Sequence, residues 1–69
     1  MSMAFTRTMT LKVSEDGKGE PYFIQCVTGI EIEHGARDVF VVHTIFDDQR
    51  IPIYDEENPG DGTIIEVSA

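Results

Sequence analysis

Alternation of apolar and polar residues is the feature that most constrains the fold of this chain. In residues 3–13 the odd positions are apolar except for Arg7, and the even positions hold alanine, threonine or lysine. Successive side chains of a β-strand point to opposite faces, so this period of two predicts a half-buried strand. The Asp16-Gly17 pair that follows is typical of a turn.

Two further segments are predicted to be strands and to form a hairpin. Residues 22–33 alternate again, and Gly29 within them indicates a bulge or a bend. Residues 38–46 are apolar on both faces, and their β-branched content and short length favour a central strand over a helix. A short turn at residues 34–37 joins the two segments.

The end of the chain predicts two edge strands. Residues 50–54 contain Pro52, which has no N–H group to donate to a neighbouring strand. An acidic loop at residues 55–62 leads to a last strand at residues 63–67, whose outer edge is open to another chain. The pattern therefore predicts an all-β fold. We expect a single small domain over residues 1–69 with about five antiparallel strands, in a meander that closes as a small barrel or as a two-layer sandwich.

The length of the chain, 69 residues, predicts a marginal core, because a domain of this size buries only about 60% of its unfolded surface. Cys26 is the one cysteine, which excludes a disulfide within the chain and suits a small buried side chain in a reducing compartment. We find no apolar run that could span a membrane and no secretory signal. We therefore expect a cytoplasmic domain that gains stability from homo-oligomerisation or from a partner.

The net charge of −8 belongs to the second half of the chain. Basic and acidic residues balance up to residue 30, whereas the rest of the chain sets ten acidic residues against Arg37 and Arg50. A one-sided field attracts partners of the opposite sign, which predicts a basic protein partner. It disfavours direct binding to nucleic acid or to an anionic membrane, and the aromatic residues lie among acids rather than bases.

The acidic loop at residues 55–62 admits three interpretations. Asp55, Glu57 and Asp61 would offer oxygen ligands to calcium, but Pro59 stands where an EF-hand loop has a ligand. A solvated turn and an anionic docking patch are the alternatives. The predicted partner-binding residues are the carboxylates of this loop and of the turn before it: Asp47, Asp48, Asp55, Glu56, Glu57 and Asp61.

The sequence lacks the patterns typical of an enzyme, and we predict neither catalysis nor a cofactor. No nucleophile elbow or phosphate-binding glycine loop occurs, and His34 and His43 lack the spacing of a metal site. One strand register would bring Cys26 and His43 to the same surface, as in an activated thiol. A register shifted by one residue would instead turn Phe40 and Phe46 inward. We favour the shifted register, with His43 half-exposed and without a special role.

These observations predict a non-catalytic acidic module for protein–protein interaction. In its narrowest form it is an inhibitor that imitates phosphate charge and docks on a nucleic-acid-binding protein. The alternative is a small structural β subunit that completes its core by homo-oligomerisation or by docking in a larger assembly. Salt distinguishes the two, since docking through charge weakens above about 0.15 M salt.

Overall fold

The computed structural model describes residues 2–68, which form one antiparallel sheet of five strands. The strands are β1 (Ser2–Ser14), β2 (Tyr22–Glu33), β3 (Val39–Thr44), β4 (Asp48–Pro52) and β5 (Ile64–Ser68). Their order across the sheet is β4-β3-β2-β1-β5, so four strands form a meander and β5 returns to pair with β1. The predicted all-β fold is confirmed, and both predicted edge strands lie at edges. No helix of these residues is long and apolar enough to cross a membrane.

The sheet is not closed into a barrel, because β4 and β5 lie at its opposite ends in the pairing order. The segments that adjoin these two strands nevertheless meet at one corner. The Thr63 N–H donates to the Ile53 carbonyl at 2.8 Å, and the Thr63 hydroxyl donates to the Pro52 carbonyl at 2.6 Å. This contact curls the sheet around one apolar face.

The concave face of the curled sheet carries the core, and every strand contributes to it. Burial of an aliphatic side chain contributes about 1.5–3 kcal/mol, so a small set of residues sustains the fold. The buried cluster consists of Leu11, Val13, Ile24, Val27, Val42 and Ile51, with Phe5, Ile30, Phe40 and Ile65 partly buried against it.

Irregular pairing between β1 and β2 explains two departures from the predicted alternation. Ala4 pairs with Gly29 and Met9 with Val27, so several residues of β1, Arg7 among them, bulge out opposite a single residue of β2. Arg7 is exposed there and interrupts no buried face. A bulge increases the local bend and re-aims the side chains around it.

Cys26 occupies a second irregularity and is not the core residue that the sequence predicted. Its φ of 59° is left-handed, and its side chain is only partly buried. The register against β1 shifts at this point. Ile24 and Val27 are three residues apart, a spacing that regular alternation would place on opposite faces, but the shift brings both into the core. The irregularity predicted near Gly29 is also present, since the pairing with β3 shifts between Val27 and Gly29.

The pairing of β2 with β3 has the shifted register that we favoured. Gly29 lies opposite His43 and Ile32 lies opposite Phe40. Phe40 and Val42 therefore face the core, while His43 faces the other side of the sheet with 34% of its side chain exposed.

Phe46, by contrast, was wrongly predicted to turn inward and is 81% exposed. The strand ends at Thr44, whose N–H donates to the Asp47 carbonyl at 2.8 Å. The Thr44 hydroxyl accepts hydrogen bonds from the N–H groups of Phe46 and Asp47. This side chain–backbone turn places Ile45 and Phe46 at the exposed tip of the β3–β4 hairpin.

Candidate functional site

The outer face of β2, β3 and β4 carries charged residues at positions fixed by the strand register. Residues directly opposite each other in antiparallel strands share a face, as do residues two apart in one strand. The pairing of Glu31 with Val41 and of Val41 with Arg50 forms the middle row of this face. The charged residues on this side of the three strands are called the outer acidic face: Glu31, Glu33, His43, Asp48 and Arg50. Val41, in the middle of this face, is only 1% exposed.

His43 joins three strands of the outer acidic face. Its Nδ1 lies 2.7 Å from Oδ1 of Asp48 on β4, and its Nε2 lies 2.9 Å from Oε1 of Glu31 on β2. Ionised carboxylates only accept hydrogen bonds, and a neutral imidazole has a single N–H to donate. Both bonds together therefore require the protonated ring. The hydrogen bond to Asp48, and then that to Glu31, raise the pKa of His43 above its ordinary 6.5.

Arg50 forms the other charged contact of the outer acidic face. Its Nη2 donates to Oε2 of Glu33 at 3.3 Å, and both side chains are more than half exposed. An exposed pair of this kind contributes at most about 1 kcal/mol. Three carboxylates thus share the face with Arg50 and His43, and the face stays anionic even when His43 is protonated.

The acidic loop at residues 55–62 is held from inside by Asp16, which is 2% exposed. Oδ1 of Asp16 accepts hydrogen bonds from the N–H groups of Gly60 and Gly62, both at 2.7 Å. Its Oδ2 accepts one from the Asp55 N–H at 2.8 Å. These bonds, the one from Asp55 above all, hold the pKa of Asp16 below its ordinary 3.8 although burial opposes the shift. The Asp16 N–H in turn donates to the Thr63 hydroxyl at 3.1 Å.

Gly17 lets Asp16 enter the loop. It has a left-handed φ of 67°, and a Cβ at this position would lie 1.5 Å from the Asn58 carbonyl oxygen. Sequence reasoning missed the role of Asp16. The Asp-Gly pair predicted a turn, but no local pattern indicates a hydrogen-bond partner 44 residues away.

The structure distributes the six predicted partner-binding residues over three places. Asp47 lies in the β3–β4 turn, where its carboxylate accepts hydrogen bonds from Thr44 at 2.8 Å and Gln49 at 3.4 Å. Asp48 belongs to the outer acidic face. The other four lie in the loop beyond the far end of β4. The length of β4, about 17 Å, separates them from Asp47 and Asp48. Strand pairing, rather than the acidic stretches of the sequence, places Glu31 and Glu33 on the same face of the sheet as Asp48.

The four acidic residues of the loop differ in what their carboxylates contact. Asp55 accepts hydrogen bonds from the N–H groups of Glu57 at 2.9 Å and Asn58 at 3.2 Å, and these bonds, the one from Glu57 first, lower its pKa. Glu56 lies 3.6 Å from the Arg37 guanidinium. Glu57 and Asp61 are exposed. Asp55 thus shapes the loop, whereas Glu57 and Asp61 face solvent.

Among residues 2–68 no three His, Cys, Asp or Glu side chains are grouped so as to hold a metal ion. Oδ1 of Asp55, one of the ligands that a calcium site in the loop would use, already accepts two backbone N–H groups. Comparison with protein families, with curated proteins and with solved structures finds no match to this chain.

A second surface of a different kind opens at one end of the concave face. It is an apolar groove of about 240 Å³, lined by Met3, Ile30, Glu31, Ile32, Phe40, Ile65 and Val67. Met3 is 53% exposed and Val67 is 52% exposed. Within the described residues the pairing of β1 with β5 stops at Thr10 and Ser68. On this side of β1, the residues before Thr10 pair with no described strand, and Met3 among them lines the groove.

Proposed function

We propose that this chain is a non-catalytic docking module that presents carboxylates to a basic protein surface. What carries the proposal is the outer acidic face, where Glu31 and Glu33 on β2 and Asp48 on β4 stand on the same side of the sheet, with β3 between them. The sheet already orders the backbone of these residues, so a partner that binds them does not have to order it. Complementary charge also accelerates association and selects the partner.

The acidic loop extends the same proposal beyond the end of β4. Because Asp16 fixes the backbone of the loop, Glu57 and Asp61 project from a preordered segment rather than from a flexible one. We assign docking to Asp48, Glu56, Glu57 and Asp61 of the residues predicted from the sequence, and a shaping role to Asp47 and Asp55. The proposed compartment is the cytoplasm, where a lone cysteine stays reduced.

The narrower proposal of phosphate imitation can be judged by charge spacing. Glu31 and Glu33 are two residues apart on one strand, or about 6.8 Å. A single DNA strand carries one phosphate for about every 3.4 Å along its axis. The two glutamates alone thus offer roughly half the linear charge density of a DNA strand, and the cationic His43 and Arg50 beside them lower it further. A basic protein surface in general is therefore the proposed partner, and a nucleic-acid-binding groove is one special case of it.

Two variants that each remove three charges test the proposal and assign the surface. The face variant carries Glu31→Gln, Glu33→Gln and Asp48→Asn, and the loop variant carries Glu56→Gln, Glu57→Gln and Asp61→Asn. Partners are captured from source-cell lysate, identified by mass spectrometry, purified, and measured against each variant at about 0.05 and 0.3 M salt. A basic partner whose binding weakens with salt and is lost in the face variant supports docking through this face. Loss in the loop variant alone moves the contact to the loop. Equal binding by all three chains at both salt concentrations rejects the proposal.

The apolar groove favours a second candidate function, that of a structural β subunit that pairs with a second copy of itself. The groove and the unpaired edge of β1 together offer both apolar contact and backbone hydrogen bonds to another strand. Light scattering at about 0.05 and 0.5 M salt tests this, with Val67→Asp as the disrupting variant. A dimer that persists at high salt and dissociates in the variant supports self-assembly, and a monomer under all conditions rules it out.

A further inference from the structure

We propose that His43 regulates the outer acidic face according to pH. In its protonated form the ring ties Glu31 to Asp48, and deprotonation frees one of these carboxylates and makes the face more negative. A basic partner is then bound more tightly at higher pH. The part of this inference that concerns binding rests on the proposed docking function, whereas the state of the ring depends only on its contacts.

The geometry around His43 carries the argument. Each ring nitrogen lies within 3 Å of a carboxylate oxygen, and the two carboxylates come from strands on opposite sides of β3. Only the imidazolium satisfies both contacts, since a neutral ring would face one of the carboxylates with a lone pair. The side chain is 34% exposed, so protons exchange freely with solvent. The contacts of the ring therefore change with pH without any need to unfold the sheet.

The ionisable side chains that contact His43 come from the two strands on either side of it. On β2 the ionisable neighbour is Glu31, and on β4 it is Asp48. Arg50 on β4 is directed to Glu33 rather than to the ring, and Asp47 in the adjoining turn is engaged with Thr44. From β1, Ser2, Met3 and Ala4 line the hollow beside His43, and none of these side chains ionises.

The consequence for the face follows from counting its charges. With His43 protonated, three carboxylates face two cations, which leaves one net negative charge. With His43 neutral, the net negative charge doubles, and one carboxylate loses its hydrogen bond to the ring. Histidine is the side chain of this face whose ordinary pKa, about 6.5, lies within the interval from pH 5.5 to 8. The change in the charge of the face therefore comes from His43.

A peptide of ten lysines serves as the probe, because lysine with an ordinary pKa of about 10.4 stays charged throughout the interval. Its binding to the native chain is measured by fluorescence anisotropy at pH 5.5 and pH 8 in about 0.05 M salt. One additional surface charge near the contact should raise the affinity at pH 8 about 3–10-fold at this ionic strength. His43→Gln should remove most of this rise. His34→Gln is the matched control, since His34 contacts Asp38 on the β2–β3 turn outside the face, and it should retain the rise.

Nitrogen NMR of the imidazole rings provides an independent readout. If the inference is correct, more than half of the His43 rings are protonated on both nitrogens at pH 6.5, and this fraction falls as the pH rises through the raised pKa. A His43 ring that is already neutral at pH 6 overturns the inference at its source. A protonated ring together with an affinity that does not depend on pH overturns the regulation while the docking function stands. Equal binding of the probe by the native chain and the face variant at pH 8 overturns docking through the outer acidic face, and the regulation with it.

Discussion

Asp16 and His43 each hold distant parts of the chain together through charged hydrogen bonds, but they do so in opposite ways. Asp16 is a buried anion surrounded by backbone N–H groups of the acidic loop. His43 is a half-exposed cation placed between two carboxylates that also face solvent. Carboxylates thus shape the molecule where the chain encloses them and remain available to a partner where the sheet displays them.

The two regions differ in the pH at which they stabilise the fold. The pKa of Asp16 is lowered from 3.8, so its contribution is complete above that pH and is lost as the pH falls through the lowered pKa. The pKa of His43 is raised from 6.5, so its contribution is complete below that pH and is lost as the pH rises through the raised pKa. The first region is sensitive to acid below about pH 4, and the second to neutral and alkaline pH.

The largest expected effect comes from Gly17→Ala, which breaks the Asp16 region by steric means. The new Cβ would lie 1.5 Å from the Asn58 carbonyl oxygen in the loop. In addition, the φ of 67° at residue 17 is unfavourable for alanine. Thermal unfolding should show a Tm lower by more than about 10 °C. Gly19→Ala is the matched control, because no atom lies within 4 Å of a Cβ there, and its Tm should stay within about 3 °C of the native value. Equal effects of the two changes would contradict the described fit of Gly17 against the loop.

Asp16→Asn should have the next largest effect, because an amide brings its own N–H group to a site lined by three N–H donors. We expect a fall in Tm on the order of 10 °C at pH 7. The difference from the native chain should shrink as the pH falls below 3.8 and through the lowered pKa of Asp16. Asp61→Asn removes the same charge from an exposed position of the loop and should leave Tm nearly unchanged. A similar fall in both variants would show that the loop responds to charge rather than to the Asp16 contacts.

His43→Gln should have a moderate effect that appears only in acid. At pH 5.5 the variant loses the charged contacts to Glu31 and Asp48, and its Tm should fall by about 3–6 °C. The native ring loses its charge as the pH rises through the raised pKa of His43, and the difference in Tm between the two chains should narrow accordingly. His34→Gln should show a smaller difference at pH 5.5, since it removes one contact at 3.3 Å between well-exposed groups. A deficit in His43→Gln that grows as the pH rises would contradict the assigned charge state.

Arg50→Gln should have the smallest effect on stability. Its pair with Glu33 is exposed on both sides, so its loss should cost about 0.3 kcal/mol and shift the Tm by less than about 3 °C. The same change makes the outer acidic face more negative, and probe binding should therefore strengthen at both pH 5.5 and pH 8. Anisotropy titrations in parallel with thermal unfolding would separate the two effects. A weaker affinity for the ten-lysine peptide would indicate that Arg50 positions the carboxylates rather than offsets them.

Local patterns in the sequence were sufficient to predict much of the fold. Alternation located β1 and β2, and Pro52 identified an edge strand because a missing N–H group has one clear consequence. The side chain–backbone turn at Thr44 reversed the expected position of Phe46, because a threonine hydroxyl competes locally with strand pairing. The burial of Val27 depended on bulges that shift the alternation by one residue.

Contacts between distant residues could not be predicted in the same way. The sequence placed the acidic stretches at residues 47–48 and 55–61, whereas the outer acidic face depends on Glu31 and Glu33 from another strand. The partner of Asp16 lies across the whole meander, and an Asp-Gly pair gives no indication of it. The correct register for His43 was predicted from the need to bury Phe40 and Phe46, although only Phe40 packs against the core. His43 was predicted to have no special role, because its two carboxylate contacts appear only when three strands are aligned.

The return of β5 to β1 also affects how the chain folds. The first four strands pair with their neighbours in sequence, so each hairpin closes a short loop, whereas β5 must find a strand some fifty residues earlier, as in the pairing of Leu11 with Val67. Long loops are entropically slower to close, and contacts of high sequence separation form late. We expect the β2–β3–β4 hairpins to form first. The union of β5 with β1 and the enclosure of Asp16 then become the last, rate-limiting step, during which the edge of β1 is exposed to other chains.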